Sequence, residues 1–124
     1  QKKIDIIADY IPEAKVFGNE KGKLLVLGWG GPYGAIRSAV IKCKQENMEV
    51  SHLHLKHIHP FPKNLASILS NFDQVLVPEI NLGQLSNIIR SKYMIDTINF
   101  NRISGKPFTS PDIYNKILNT LKGK

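Results

Sequence analysis

Two groups of residues in this chain are of the right type and spacing to do chemistry. His52 and His54 are two residues apart, His57 and His59 repeat that spacing, and Glu79 stands two residues before Asn81 and five before Gln84. Imidazoles at i and i+2 of a strand point to one face and can reach a common metal. A zinc site needs three or four ligands with partners to orient them. No cysteine and no nearby acid completes this set, and Glu79 is the sole addition from another strand, so no metal ligand is assigned. The histidines read instead as half-buried or interface groups able to respond to pH near neutrality. His52, facing a helix layer, is expected to bond backbone or a serine. Glu79 follows a strand end, where a catalytic carboxylate is geometrically possible. No second acid lies near it and no Ser-His-Asp order is convincing. The alternative is that Glu79 and Asn81 cap the next helix or bond across a domain interface. That reading is preferred, and no residue is given a catalytic role.

The second chemical feature is LLVLGWGGPYG, residues 24–34. An apolar run ends in Gly28, Trp29, Gly30, Gly31, Pro32, Tyr33 and Gly34, and an amphipathic stretch follows. In a parallel sheet such a turn lies at the carboxyl edge, where ligands and partner chains sit, and helix starts favour anions. The spacing G-x-G-G-x-x-G misses the dinucleotide pattern, and no acid ends the next strand to hold a ribose. No Lys-Ser/Thr follows Gly34, so it is not a phosphate loop of the Walker type. Two readings stay open: an anion- or nucleotide-binding module using Gly28–Gly34, or a tight turn packed on a neighbouring domain. The first predicts an open pocket with free amides at Ala35 and Ile36. The second predicts an exposed apolar patch of Trp29, Tyr33 and Phe61, with Phe108 near it.

Periodicity places these residues on elements. A helix is predicted over Lys2–Tyr10, ended by Pro12, and an edge strand over Lys15–Gly18. Lys23–Leu27 reads as a strand covered on both faces. Ala35–Asn47 reads as a helix burying Ile36, Ala39, Val40 and Cys43, and Val50–Leu55 as the next strand. Pro62 starts a helix lined by Leu65, Ile68, Leu69 and Phe72. Gln74–Val77 is a strand ended by Pro78. The helix after Gly83 turns Leu85, Ile88 and Ile89 inward. Met94–Phe100 is a fourth core strand. Ser110 caps a last helix, with Pro111 as its first residue and Gly123 as its C-cap. Strands alternating with helices predict an α/β fold with helices on both faces of a parallel sheet.

A chain of 124 residues, 42% hydrophobic and 22% charged, has room for one domain with a real core. The net charge of +7 is uneven: residues 90–124 carry seven bases and two acids. That suggests an acidic partner or phosphates. The bases do not alternate with aromatics as nucleic-acid binding needs. No apolar run is long enough to span a bilayer. The chain shows no signal peptide and begins with Gln1, so it reads as a piece excised from a longer polypeptide. Lone Cys43, on an apolar helix face, reads as a buried thiol in a reducing, cytoplasmic compartment.

Taken together, several segments are similar to one family. They are Leu27-Gly28-Trp29-Gly30 with Tyr33-Gly34-Ala35, Ser51-His52-Leu53-His54-Leu55-Lys56, Pro60-Phe61-Pro62, Val77-Pro78-Glu79-Ile80-Asn81-Leu82-Gly83-Gln84-Leu85, Arg90 with Tyr93, and Gly105-Lys106-Pro107-Phe108. From about Ile4 to Leu118 the chain resembles the C-terminal region of the alpha subunit of 2-oxoacid:ferredoxin oxidoreductases, the 2-oxoglutarate type especially. The resemblance implies a transketolase C-terminal-like domain over residues 15–124, after a linker helix over residues 1–14. It implies a three-layer α/β/α fold with a mostly parallel five-stranded sheet and one antiparallel edge strand. It also implies a parent enzyme that turns a 2-oxoacid and coenzyme A into acyl-CoA and CO2 while reducing ferredoxin. Thiamine diphosphate, magnesium and an iron–sulfur cluster would be held by other domains and the beta subunit, with none here. The domain would not be catalytic alone. Gly28, Trp29, Gly30, Gly31, Tyr33, Gly34, Glu79, Asn81 and Gln84 would face a neighbouring domain. Partners would be the preceding domains, the beta subunit, ferredoxin and coenzyme A, with no nucleic acid and no membrane.

Overall fold

The strand that opens the glycine turn is the centre of the sheet. In the computed structural model, which describes residues 13–56, 61–79, 84–101 and 106–122, the sheet has five strands in the order β1-β3-β2-β4-β5. They are β1 (Val16–Phe17), β2 (Gly22–Trp29), β3 (Val50–Leu55), β4 (Phe72–Glu79) and β5 (Ile98–Asn101). β2 runs parallel to β3 and β4, and β4 runs parallel to β5. β1 alone is antiparallel, pairing Val16 with Leu53 and Phe17 with His52. This is the expected mixed sheet, with its edge strand cut to two residues.

Alternation along the strands divides the core in two. Leu25, Leu27, Leu53, Leu55, Val75 and Val77 face one side, under α2 (Leu65–Ser70) and α3 (Gln84–Tyr93). Leu24, Val26, Val50 and Leu76 face the other, under α1 (Tyr33–Gln45) and α4 (Ser110–Lys122). The central strand is therefore apolar on both faces. Each fully buried leucine there contributes about 1.5–3 kcal/mol by leaving water. The helices cover both faces, which makes the three layers.

Four boundaries differ from the sequence reading, each for a physical reason. Phe72 does not belong to the helix before it: α2 ends at Ser70, and Phe72 opens β4. Pro78 does not end β4. The ladder to β2 stops at Leu76, so Pro78 lies where β4 is paired only with β5, a position that tolerates a missing N–H. Met94–Phe100 is not a core strand. Met94 takes a φ of 56° and is exposed, and β5 begins only at Ile98 as a half-exposed edge. Ser110 does not cap α4; Thr109 does. Asp112 N–H donates to Thr109 Oγ1 at 3.3 Å and Thr109 N–H donates to Asp112 Oδ2 at 3.0 Å, a reciprocal capping box. The helix expected over residues 2–10, along with His57, His59, Asn81, Gly83 and Gly123, lies outside the described residues. No helix among the described residues is long and apolar enough to cross a membrane.

Candidate functional site at the carboxyl edge of the sheet

The carboxyl ends of β2, β3 and β4 carry the residues singled out by sequence, and two sites form there. The first is the glycine turn over the histidines. Gly28 pairs with His54 across the β2–β3 ladder. A Cβ at Gly28 would lie 2.6 Å from Ile36 Cδ1 and 3.1 Å from His54 Nδ1, so glycine here permits a close approach. Gly30 needs its glycine for another reason, a φ of 74°. Gly31 and Gly34 adopt no such φ and have nothing within 4 Å of a built Cβ. No contact among the described residues requires glycine at these two positions.

Trp29 and Tyr33 are exposed, at 47% and 43%, whereas Phe61 is 7% exposed and Phe108 6%. The expected apolar patch is thus correct for the glycine turn and wrong for the two phenylalanines. Phe61 joins the core beneath α2 and packs near Tyr93, with ring centres 5.9 Å apart. Phe108 packs on Phe100 in the opposite core. The Ile36 amide is not free, since it donates to Pro32 O at 3.0 Å.

Arg37 organises the histidine face, and the sequence reading passed over it. Its Nε donates to His52 Nδ1 at 3.1 Å. Its guanidinium lies 3.9 Å from the centre of the Phe17 ring and 5.0 Å from that of Tyr33. Tyr33 also meets His54 edge-on at 4.9 Å and His52 at 5.6 Å. The acceptor role of Nδ1 places the His52 proton on Nε2. His52 thus bonds arginine and not the backbone or serine that was expected. Ser51, one residue earlier, donates to Asn19 O at 2.6 Å on the other face. The signal for Arg37 was its place four residues after Tyr33, on the same face of α1.

Burial, then the Arg37 charge, then His54 push the His52 imidazole down to about 3 from 6.5. Burial first, and Arg37 second, hold His54 below its usual value as well. A histidine whose folded value is depressed binds fewer protons folded than unfolded between the two values. Stability from His52 is therefore complete above pH 6.5 and is lost as pH falls from 6.5 towards 3. We expect acid destabilisation approaching about 1.4 kcal/mol per pH unit for this one proton. His52→Gln should flatten that slope between pH 6.5 and about 5, read from denaturant midpoints.

The second site is Glu79. Its Oε1 accepts from Leu85 N–H at 2.7 Å and its Oε2 from Ser86 N–H at 3.0 Å. Both amides belong to the first turn of α3, which Gln84 opens. The carboxylate thus caps the helix from the strand end and sits at the positive end of its dipole. Buried Ser86 in turn bonds Thr97 and Asn99 through its hydroxyl, tying α3 to β5.

Burial pushes the Cys43 thiol up to about 11, which keeps it a packed, protonated side chain. Among the described residues no three His, Cys, Asp or Glu side chains come together to hold a metal ion.

Comparison with known proteins agrees with this architecture. The family described as pyruvate:ferredoxin oxidoreductase core domain II matches residues 22–113. The 2-oxoglutarate oxidoreductase subunit KorA of Mycobacterium tuberculosis is 35% identical over 125 residues, covering 100% of this chain and 19% of its own length. The 2-oxoacid:ferredoxin oxidoreductase 1 alpha subunit of Sulfurisphaera tokodaii is 27% identical, covering 98% of this chain and 20% of its own. This chain thus spans about a fifth of the curated relatives it matches. Among solved structures, the 2-oxoglutarate:ferredoxin oxidoreductase of Magnetococcus marinus, with 2-oxoglutarate, coenzyme A and succinyl-CoA bound, superimposes with a TM-score of 0.87 at 28% identity, over 93% of this chain and 21% of that one. A split-gene transketolase shares the fold at a TM-score of 0.67 and 13% identity, over 89% of this chain and 41% of that one. The transketolase C-terminal-like layers, the mixed sheet and the family match over residues 22–113 together show that the chain belongs to the pyruvate:ferredoxin oxidoreductase core domain II family, found in the alpha subunits of 2-oxoacid:ferredoxin oxidoreductases.

Proposed function

We propose that this chain is the C-terminal domain of the alpha subunit of a 2-oxoglutarate:ferredoxin oxidoreductase, with residues 15–124 as the domain and 1–14 as the link to the domain before it. Its role is to buttress the catalytic domains and the subunit interface. The observation that carries this reading is the 0.87 TM-score over 93% of the chain to about a fifth of a 2-oxoglutarate-binding enzyme of this family. The rim supports it in detail. Trp29 and Tyr33 are exposed aromatics at the carboxyl edge, and Gly31 and Gly34 leave room beside them that no described residue fills. Exposed aromatics next to a surface free of side chains suit close approach by a neighbouring domain. Glu79 and Gln84 stand at the same end of the sheet, with Glu79 already committed to α3. In the parent complex, thiamine diphosphate, magnesium and an iron–sulfur cluster are carried by other domains and the beta subunit, and coenzyme A and ferredoxin are met there. The complex is cytoplasmic.

The test is to purify the complete alpha subunit with its beta partner and assay 2-oxoglutarate, coenzyme A and oxidised ferredoxin. Succinyl-CoA and reduced ferredoxin are the expected products, and Trp29→Arg should weaken subunit association in gel filtration. Turnover by residues 15–124 alone would overturn the reading, as would a complete complex that accepts no 2-oxoacid.

A further inference from the structure

A cleft of about 370 Å3 opens at the carboxyl end of β3, its described lining including Glu13, Lys15, Tyr33, Arg37, His54 and Lys56. We infer that this cleft is an oxyanion site that takes the phosphate group of a small ligand, with Arg37, Lys15 and Lys56 as its cations.

Charge is the first argument. Among the described residues the lining holds Lys15, Arg37 and Lys56 against Glu13 alone, an excess of two positive charges. That balance suits a divalent phosphate better than a monocarboxylate. Among the described residues none of the three cations forms an ion pair, so their charge is not spent inside the domain.

Preorganisation is the second argument. Arginine usually loses side-chain entropy when it grips an anion. Arg37 is already fixed: Nε is held by His52 Nδ1, one face rests on Phe17, and Tyr33 lies beside it. Its terminal nitrogens have no acceptor among the described residues, and they carry the N–H fork that grips phosphate in two places. His52 acts here as a positioning residue. It is fully buried, bonds through a neutral nitrogen, and orients the guanidinium without cancelling its charge.

The walls are the third argument. Ala14 and Asn64 exchange two hydrogen bonds of 2.9 Å, which hold the chain beside Lys15 against the start of α2. Lys15 and Arg37 both line the cleft. The Tyr33 ring meets His54 edge-on at 4.9 Å within the same lining. The cleft lies at the small end of the ligand-pocket range, about 300–1,000 Å3. It holds an inorganic phosphate or diphosphate, or the phosphate end of a larger molecule. The glycine turn contributes only Tyr33 to the described lining, and the Ile36 amide that follows the turn is already occupied.

The inference stands on the cleft and not on which oxoacid the parent enzyme uses, so turnover assays read the proposed function separately. The test uses the complete parent complex. Crystals are soaked in sodium tungstate, a heavy divalent oxyanion. The same complex is dialysed against labelled inorganic phosphate, inorganic diphosphate and ADP, as wild type, Arg37→Gln, Lys56→Gln and the distant control Lys116→Gln. An anomalous peak is expected among Lys15, Arg37 and Lys56. One class of saturable binding should weaken about tenfold in Arg37→Gln and less in Lys56→Gln, with Lys116→Gln unchanged. Lys56 is exposed, so its variant keeps the test valid if Arg37→Gln fails to fold. Diphosphate binding as tightly as ADP assigns a free anion, and much tighter ADP assigns a phosphate carried on a larger ligand. Dialysis curves that all variants share overturn the inference, and a tungstate peak alone then marks an adventitious ion only. A carboxylate of a neighbouring domain seated on Arg37 overturns it as well.

Discussion

Alanine at position 28 is expected to destabilise the domain by about 1–3 kcal/mol, the usual range for overpacking a core. The new Cβ would lie 2.6 Å from Ile36 Cδ1 and 3.1 Å from His54 Nδ1. Ile36 is fully buried and His54 is held under Tyr33, so neither moves without cost. The disturbance should spread into the Tyr33–His54 contact. Gly34→Ala is the matched control. Position 34 is in α1 with open space around it, and alanine there should be neutral or stabilising by up to about 1 kcal/mol. Denaturant midpoints of the two variants check the pair. Equal losses at both positions would show that crowding at Gly28 is not what distinguishes it.

Glu79→Ala should cost about 3 kcal/mol or more, because two charge-assisted bonds disappear and two helix amides lose their acceptor. Leu85 and Ser86 are buried, so those amides cannot turn to bulk water in place. Glu79→Gln should fall between, since one oxygen still accepts while the charge opposite the helix dipole is gone. Hydrogen exchange at the Leu85 and Ser86 amides reads the effect directly. This also separates the two readings of Glu79. A reacting carboxylate would lose turnover with protection intact, whereas a cap loses protection first.

The elements legible in the sequence were those whose burial is uniform or strictly periodic. β2 is apolar on both faces, and α1 buries Ile36, Ala39, Val40 and Cys43 at helical spacing. Segments decided by their neighbours were not legible. Phe72 is apolar in either a helix or a strand, and only the ladder to Gly22 places it in β4. Pro78 looked like a strand end because one-sided pairing is invisible in a sequence. Within the site, Glu79 was read as capping the next helix or bonding across a domain interface, and its bonds to the Leu85 and Ser86 amides are those of a cap, as carboxylates before a helix routinely make. Arg37 was missed because its partners, Phe17 and His52, lie on other strands and meet it only when β1 pairs with β3.

That antiparallel pairing also sets where the polypeptide comes in. β1 runs opposite to β3, and Val16 lies beside Leu53 while Phe17 lies beside His52, so Glu13–Lys15 stand over the far end of β3. Glu13–Lys15 thereby form a leash held at the same end of the sheet as Trp29 and Tyr33, with the Ala14–Asn64 bonds pinning it there. Such a leash turns contact between upstream polypeptide and this end of the sheet into an intramolecular event, at effective concentrations on the order of millimolar. An attachment far too weak to survive between separate molecules would then remain closed most of the time, and severing the leash would release it with every touching side chain unchanged.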